Sequence, residues 1–291
     1  MEYDIFGNEV HCVNKLRDSY MENPFTILDA KSGRWRARKK WWLNLGIKSE
    51  IGRNAKATDL KDWLDDKDYL TQNKNTLPSG TSVFDPVLCE LMYTWFCPIG
   101  GKILDPFAGG SVRGVVANYL GYNYTGIDIR KEQIDSNIEQ CLNILPESQQ
   151  PNYIIGDSAI SLDNIYDDFD MIFSCPPYHD LEVYSDMQGD ISNMSYGDFL
   201  FNYEKIISKS CSKLKKGCFA IFVVSDIRVR KNFYRGFVYD TYNAFIKAGC
   251  RLYNDAILAT PVGTAGLVAS TYMKNKKLVK VHQNILIFKK L

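Results

Sequence analysis

Residues 102–130, KILDPFAGGSVRGVVANYLGYNYTGIDIR, change hydrophobic rhythm twice. Ile103 and Leu104 end a short apolar run, which predicts a strand. Asp105-Pro106-Phe107-Ala108-Gly109-Gly110-Ser111 then reads as a turn open mainly to small residues. Residues 112–120 carry apolar side chains at helical spacing, with Gly121 as a natural stop. Residues 124–129 predict a second strand, with Asp128 near its carboxyl end.

The same two rhythms recur along the chain. A helix is predicted over 81–96, with Thr81 or Ser82 at its start. Another covers 131–145, with Ile134, Ile138, Cys141, Leu142 and Leu145 on one face and Pro146 ending it. A third strand, 153–156, runs into Asp157 and Ser158, and a fourth, 170–173, runs into Ser174-Cys175-Pro176-Pro177-Tyr178. Ser195-x-x-Asp198 reads as a capping box for a helix reaching about residue 214, followed by Gly217 and a buried strand over 218–225. Strands over 256–260 and 284–289 close the pattern. This alternation predicts an α/β fold built on a mostly parallel sheet with helices on both faces. Residues 1–30 show no clear period, and residues 57–80 are polar and end in Pro78-Ser79-Gly80, a linker signal. The expected division is an N-terminal extension over 1–80 and an α/β domain over 81–291.

In such a sheet, ligands sit at the carboxyl ends of the strands. Glycines there let a ligand approach the backbone, and an acid ending the next strand can accept hydrogen bonds from a ribose. Gly109, Gly110 and Gly114 do not fall in the G-x-G-x-x-G register of dinucleotide sites, and no G-K-[ST] follows as in a phosphate loop. A nucleoside-containing cofactor is therefore expected over residues 107–111, with its ribose at Asp128.

The formal net charge is only +1, so any nucleic-acid binding must rest on local basic patches. One lies over 31–56, where Arg36, Arg38, Lys39 and Lys40 are interleaved with Trp35, Trp41 and Trp42. Cations attract phosphates and rings stack on bases. The alternative is a solvated helix face whose tryptophans turn to the core. A second patch, residues 226–235, holds Arg228, Arg230, Lys231 and Arg235. Eight cysteines without a C-x-x-C pair suit a reducing cytosol rather than a structural zinc site, and three histidines argue against a histidine-rich metal centre. No apolar run is long enough to span a bilayer, and MEYDIFGNEV lacks signal-peptide character, so a cytoplasmic location is expected.

The 105–111 turn resembles motif I, D-P-F-x-G-x-G, of the S-adenosylmethionine-dependent DNA amino-methyltransferases, with Ser111 in place of the last glycine. Serine is small and can cap the following helix. The Ser174–Tyr178 stretch resembles the [D/N/S]-P-P-[Y/F/W] motif of the same family. Residues 81–96 resemble its motif X, and 81–291 as a whole resembles the DNA methylases often carried by bacteriophages.

The resemblance implies a Rossmann-like, seven-stranded methyltransferase fold, S-adenosyl-L-methionine as cofactor and double-stranded DNA as partner, with neither metal nor membrane. It assigns Asp105, Phe107, Ala108, Gly109, Gly110, Ser111 and Asp128 to the cofactor. Ser82, Phe84 and Asp85 match residues at the methionine end, where helix capping is the alternative for Ser82 and Asp85. Asp157 matches an acceptor for the adenine amino group, or caps the next helix. Ser174, Cys175, Pro176, Pro177 and Tyr178 fall on the catalytic loop, which receives a flipped base. Arg36, Arg38, Lys39, Lys40, Arg228, Arg230 and Lys231 are the candidate DNA contacts. Cys175 stands where the family has a stronger acceptor, and sulfur accepts hydrogen bonds weakly. Ser174, after a small shift of the loop, or the Pro176 carbonyl is left to accept from the target amino group. A serine acceptor goes with cytosine N4 in this family, ahead of adenine N6. The alternatives are cytosine C5 methylation, with Cys175 as nucleophile and Glu182 or Asp180 assisting, and a non-catalytic DNA-binding protein on the same fold. RNA or a small molecule as substrate stays open.

Overall fold

The computed structural model describes residues 15–48, 84–178, 191–229, 233–263 and 265–291. The expected boundary at residue 80 lies outside them. A short helix α1 (Lys15–Tyr20) precedes strand β1 (Ile27–Asp29) and helix α2 (Gly33–Asn44). Then come α3 (Pro86–Phe96), β2 (Lys102–Asp105), α4 (Val112–Tyr119), β3 (Asn123–Asp128) and α5 (Lys131–Ile144). They are followed by β4 (Asn152–Ile155), α6 (Ser158–Ser161), β5 (Phe169–Ser174), α7 (Tyr196–Lys213) and β6 (Leu214–Val224). A small hairpin, β7 (Arg228–Val229) and β8 (Phe233–Tyr234), leads to α8 (Phe237–Lys247), β9 (Cys250–Ala259), α9 (Ala265–Lys274) and β10 (His282–Lys290).

Among the described residues, the main sheet has eight strands in the order β1-β9-β10-β6-β5-β2-β3-β4. Within that sheet, among the described residues, only the pairings of β10, with β6 and with β9, are antiparallel. The expected Rossmann-like α/β class is thus what the chain adopts, with one strand more than the seven expected. The extra strand is β1, which pairs in parallel with β9 from Ile27↔Ile257 to Asp29↔Ala259. It comes from the stretch that showed no period, since three residues are too few to display one.

Successive side chains of a strand point to opposite faces, so each buried strand feeds two cores. Ile103, Met171, Phe173, Ile221, Val223, Ile285 and Ile287 face one core with α2, α3 and α4. Leu104, Ile172, Ala220, Phe222, Val224, Leu286 and Phe288 face the other with α7 and α8. Trp35 and Trp42 of α2 are buried in the first core, so residues 28–47 share packing with the α/β domain. Strand β6 begins four residues ahead of the expected start. Phe169 pairs with Leu214 but Met171 with Phe219, and Gly217, at φ +78°, takes up the slack.

Helix α5 meets its expectation in part: Ile134, Cys141 and Leu145 of the expected face are buried. Ile138 and Leu142 are 41% and 59% exposed, while Gln133, Asn137 and Gln140 are buried beside Ile134 and Cys141. The helix turns a row of amides, not its apolar stripe, toward the turn after β2.

Candidate active site

Parallel strands place their carboxyl ends on one edge, where the turn after β2, Asp128 of β3, Asp157 after β4 and the loop after β5 gather. The turn after β2 hangs on a fully buried carboxylate. Asp105 accepts hydrogen bonds from Arg113 Nε (2.5 Å), Tyr124 OH (2.7 Å), Ser174 Oγ (2.5 Å) and its own turn's Phe107 N (3.1 Å). Arg113, buried on α4, also donates through Nη2 to the carbonyls of Phe107 (2.6 Å) and Ala108 (2.8 Å). Its guanidinium lies 4.8 Å from the centre of the Phe84 ring. A buried arginine is tolerated because each of these contacts answers its charge or its donors. Asp105 therefore holds the turn from beneath, with its oxygens committed to the protein.

Ala108 is buried, whereas Phe107, Gly109 and Gly110 are half-buried. Gly109 has φ +50°, a conformation other residues adopt at a cost. Its N–H donates to Asp128 Oδ2 (2.9 Å) and its carbonyl accepts from Asn137 Nδ2 (2.7 Å). Asp128 Oδ1 accepts from Arg130 N (2.9 Å). Burial pushes the Asp128 carboxyl above its ordinary value, and the N–H and charge of Arg130 and the N–H of Gly109 pull it part of the way back. Each oxygen keeps a second lone pair, which is the acceptor capacity a ribose diol requires. Ser111 is buried and does not cap α4. Its φ and ψ, −67° and −18°, are already helical, and its hydroxyl donates to Gln140 Oε1 (2.8 Å). Gln133 Nε2 in turn donates to Asn137 Oδ1 (3.0 Å). Gln133, Asn137 and Gln140 recur at i, i+4 and i+7, one helix face, which is the pattern that could have revealed them.

At the end of β5, Ser174 is fully buried and its hydroxyl is spent on Asp105. This corrects its reading as an acceptor for substrate: strand alternation turns it into the sheet and leaves Cys175 at the head of the loop. Cys175 is half-buried, with Sγ 4.0 Å from Tyr178 OH. Pro176 is buried, and Pro177 and Tyr178 are half-buried. Tyr178 packs 6.0 Å from the Phe237 ring and accepts from Gln283 Nε2 at 3.4 Å. Below lies an aromatic wall. Phe107 meets Tyr203 at 5.9 Å, Tyr203 stacks on Phe199 at 5.6 Å, and Phe199 stacks on Tyr196 at 5.9 Å.

The remaining candidates divide. Asp85 caps α3 through Val87 N (3.0 Å) and also accepts from Trp35 Nε1 (3.2 Å) and Lys39 Nζ (3.0 Å). Asp157 caps α6 through Ala159 N (2.7 Å). Arg38 pairs with buried Glu90, to which Trp42 Nε1 also donates (2.8 Å). Arg38 and Lys39 thus help dock α2 on α3, as the core-facing one of the two alternatives for this stretch requires. Arg36 and Lys40 are exposed. Arg228 lies over the Tyr234 ring. Ser82, Arg230, Lys231, Asp180 and Glu182 lie outside the described residues. Among the described residues, no helix is long and apolar enough to cross a membrane, and no three His, Cys, Asp or Glu side chains group to hold a metal.

No protein-family model and no curated protein matches the chain. Among solved structures, it is similar to TrmN from Thermus thermophilus, with 13% identity and a TM-score of 0.47, covering 72% of this chain and 49% of that one. It thus spans about half of TrmN. A methyltransferase from Pyrococcus furiosus gives 16% identity and a TM-score of 0.46, covering 80% of this chain and 98% of that one. The magnesium protoporphyrin IX methyltransferase ChlM from Synechocystis PCC 6803, solved with bound SAM, gives 10% and 0.46, covering 81% and 97%. These are distant likenesses, and the chemistry is carried by this chain's own residues.

Proposed function

We propose that the chain is an S-adenosyl-L-methionine-dependent methyltransferase acting on an exocyclic amino group of a base flipped out of double-stranded DNA. One observation carries this reading. The glycine turn and the Cys-Pro-Pro-Tyr loop leave adjacent parallel strands, β2 and β5, and are tied together by the bond from Ser174 to Asp105. A cofactor site and a target site on those two loops would share one edge.

The residues fit the cofactor. Gly109 and Gly110 offer accessible backbone, Asp128 keeps acceptor capacity for a ribose, and half-buried Phe107 and Asp157 flank the turn. The cofactor, when bound, supplies an electrophilic methyl group. The protein's share is positional. The two prolines stiffen the loop after β5, and Tyr178 offers a face for the flipped base. The Pro176 carbonyl is the acceptor left for the amino proton once Ser174 is committed to Asp105. Holding both reactants on one rigid edge supplies the orientation that in-line transfer requires. The burial of Ser174 removes the reason for preferring cytosine N4, so the proposal covers the amino groups of cytosine and adenine alike.

Nucleoside mass spectrometry tests it. DNA is incubated with the protein and methyl-labelled S-adenosylmethionine, digested and resolved. Label in N4-methylcytosine or N6-methyladenine is expected. Label in 5-methylcytosine would make Cys175 a nucleophile and overturn the amino mechanism. Cofactor binding without labelled DNA would overturn the substrate.

A further inference from the structure

The lysines of residues 274–280, KNKKLVK, run from the last residue of α9 to just ahead of β10 with no acid among them. On a chain of net charge +1 this is a strong local excess. Lys274 sits in the last turn of its helix, where a cation is favourable to the helix dipole and needs no other role. Lys280 does not fit that account. Its ammonium lies 6.0 Å from the centre of the Tyr234 ring, and Arg228 lies 4.1 Å from the same ring. Two cations thus share one aromatic ring. Lys280 also donates to Asn284 Oδ1 at 3.2 Å. Burial pushes the Lys280 ammonium down, against the pull of Asp226.

The position matters as much as the charge. Strand β10 enters the sheet at the carboxyl edge of its parallel neighbours, since His282 pairs with Ala259 and Asn284 with Val224. Gln283, three residues beyond Lys280, donates to Tyr178 of the Pro-Pro loop. The Arg228–Tyr234–Lys280 cluster therefore stands beside the candidate target loop. Phe233 and Tyr234 next to it are 75% and 45% exposed. Cations on a track with exposed rings are the combination that grips a phosphodiester chain whose bases are unstacked.

We infer that Arg228, Tyr234 and Lys280, extended by the lysines at 274, 276 and 277, form the track that holds the nucleic-acid backbone next to the flipped base. The inference rests on the proposed DNA substrate and adds to it the surface that binds the strand. Lys280 was not among the candidates read from sequence, because the run 274–280 lies far along the chain from the motifs.

The test measures affinity for a fluorescent 20-base-pair duplex across a salt series. It compares the full chain with Arg228→Gln/Lys280→Gln and with a control, Lys215→Gln/Lys247→Gln, whose sites lie at the opposite edge of the sheet near the starts of β6 and β9. Each lost phosphate contact lowers the slope of log affinity against log salt by about 0.9, so the Arg228/Lys280 variant should lose about 2 units of slope. The control should keep its slope. All three proteins should show the same melting-temperature rise with S-adenosylmethionine, which certifies folding and the cofactor site independently. A steep slope that survives in the Arg228/Lys280 variant would overturn the track and leave the proposed activity standing. A full chain that binds cofactor yet shows no salt-dependent DNA affinity would overturn both.

Discussion

Replacing Asp105 by Asn probes the node beneath the whole edge. Asn keeps the shape and loses the charge. The buried Arg113 guanidinium would then lose the carboxylate that faces it at 2.5 Å, with side-chain exposures of 5% for Arg113 and 0% for Asp105. Removing one partner of such a pair costs about 3–5 kcal/mol, because the other charge stays buried without compensation. At roughly 2–4 °C per kcal/mol for a domain of this size, the melting temperature should fall by roughly 6–20 °C. Arg113→Met should cost a similar amount, since it strands Asp105 and frees the carbonyls of Phe107 and Ala108. The double variant should lose clearly less than the two single losses together, because neither charge is then left alone. Urea denaturation, followed by far-ultraviolet circular dichroism and by tryptophan fluorescence, gives all three values. Single costs below about 1 kcal/mol, or additive losses in the double variant, would refute the assignment of Asp105 and Arg113 as a coupled support.

Three further outcomes follow from the geometry. Ser111→Gly, which restores the glycine of the family pattern, should destabilise the chain by about 1–2 kcal/mol in the same assay, through the lost bond to Gln140 and added backbone freedom; a stabilised variant would show that the hydroxyl holds nothing. Cys97 and Cys141, whose thiols burial pushes up to about 12, should resist iodoacetamide at about pH 8 in the native chain and react in urea; native labelling of either, mapped by peptide mass spectrometry, would contradict their burial. Burial, and then Lys280, hold the His282 imidazole below its ordinary value of 6.5, so the unfolded chain takes up the proton first as pH falls. His282 therefore favours folding above pH 6.5, and that contribution is lost as pH drops through the depressed value. Between pH 7.5 and about 5.5 the full chain should lose more stability than His282→Gln, and parallel losses would exclude this histidine as a source.

The strands and helices around the glycine turn were legible because each is long enough to show its period and is punctuated by Gly121, Pro146 or a proline pair. The turn itself was legible as a motif. Its support was not. Arg113 reads in sequence as an ordinary helix-surface residue, and only the fold shows that it reaches Asp105 and two carbonyls beneath the turn. Helix α5 was legible only in part for a related reason: Ile134, Cys141 and Leu145 are buried as their spacing suggests, but the adjoining turn demanded hydrogen-bond donors and acceptors, so Gln133, Asn137 and Gln140 share the inward side and Ile138 and Leu142 face out. Ser174 shows how one residue of offset reverses a role, since neighbours on a strand face opposite sides. The basic stretch of α2 leaves two alternatives open in sequence. The burial of Trp35 and Trp42 and the pairing of Arg38 and Lys39 favour the core-facing one.

Strand β1 carries a consequence for the order in which the molecule assembles. It pairs residues 27–29 with 257–259, so the edge of the sheet closes only after β9 exists. Contacts between such distant segments form late, because a long loop must first be gathered. Until then Trp35 and Trp42, which follow β1 directly, lack part of their covering, and the free side of β9 presents unpaired backbone to other chains. The slowest rise in tryptophan burial during refolding is thus expected to coincide with the disappearance of that sticky edge.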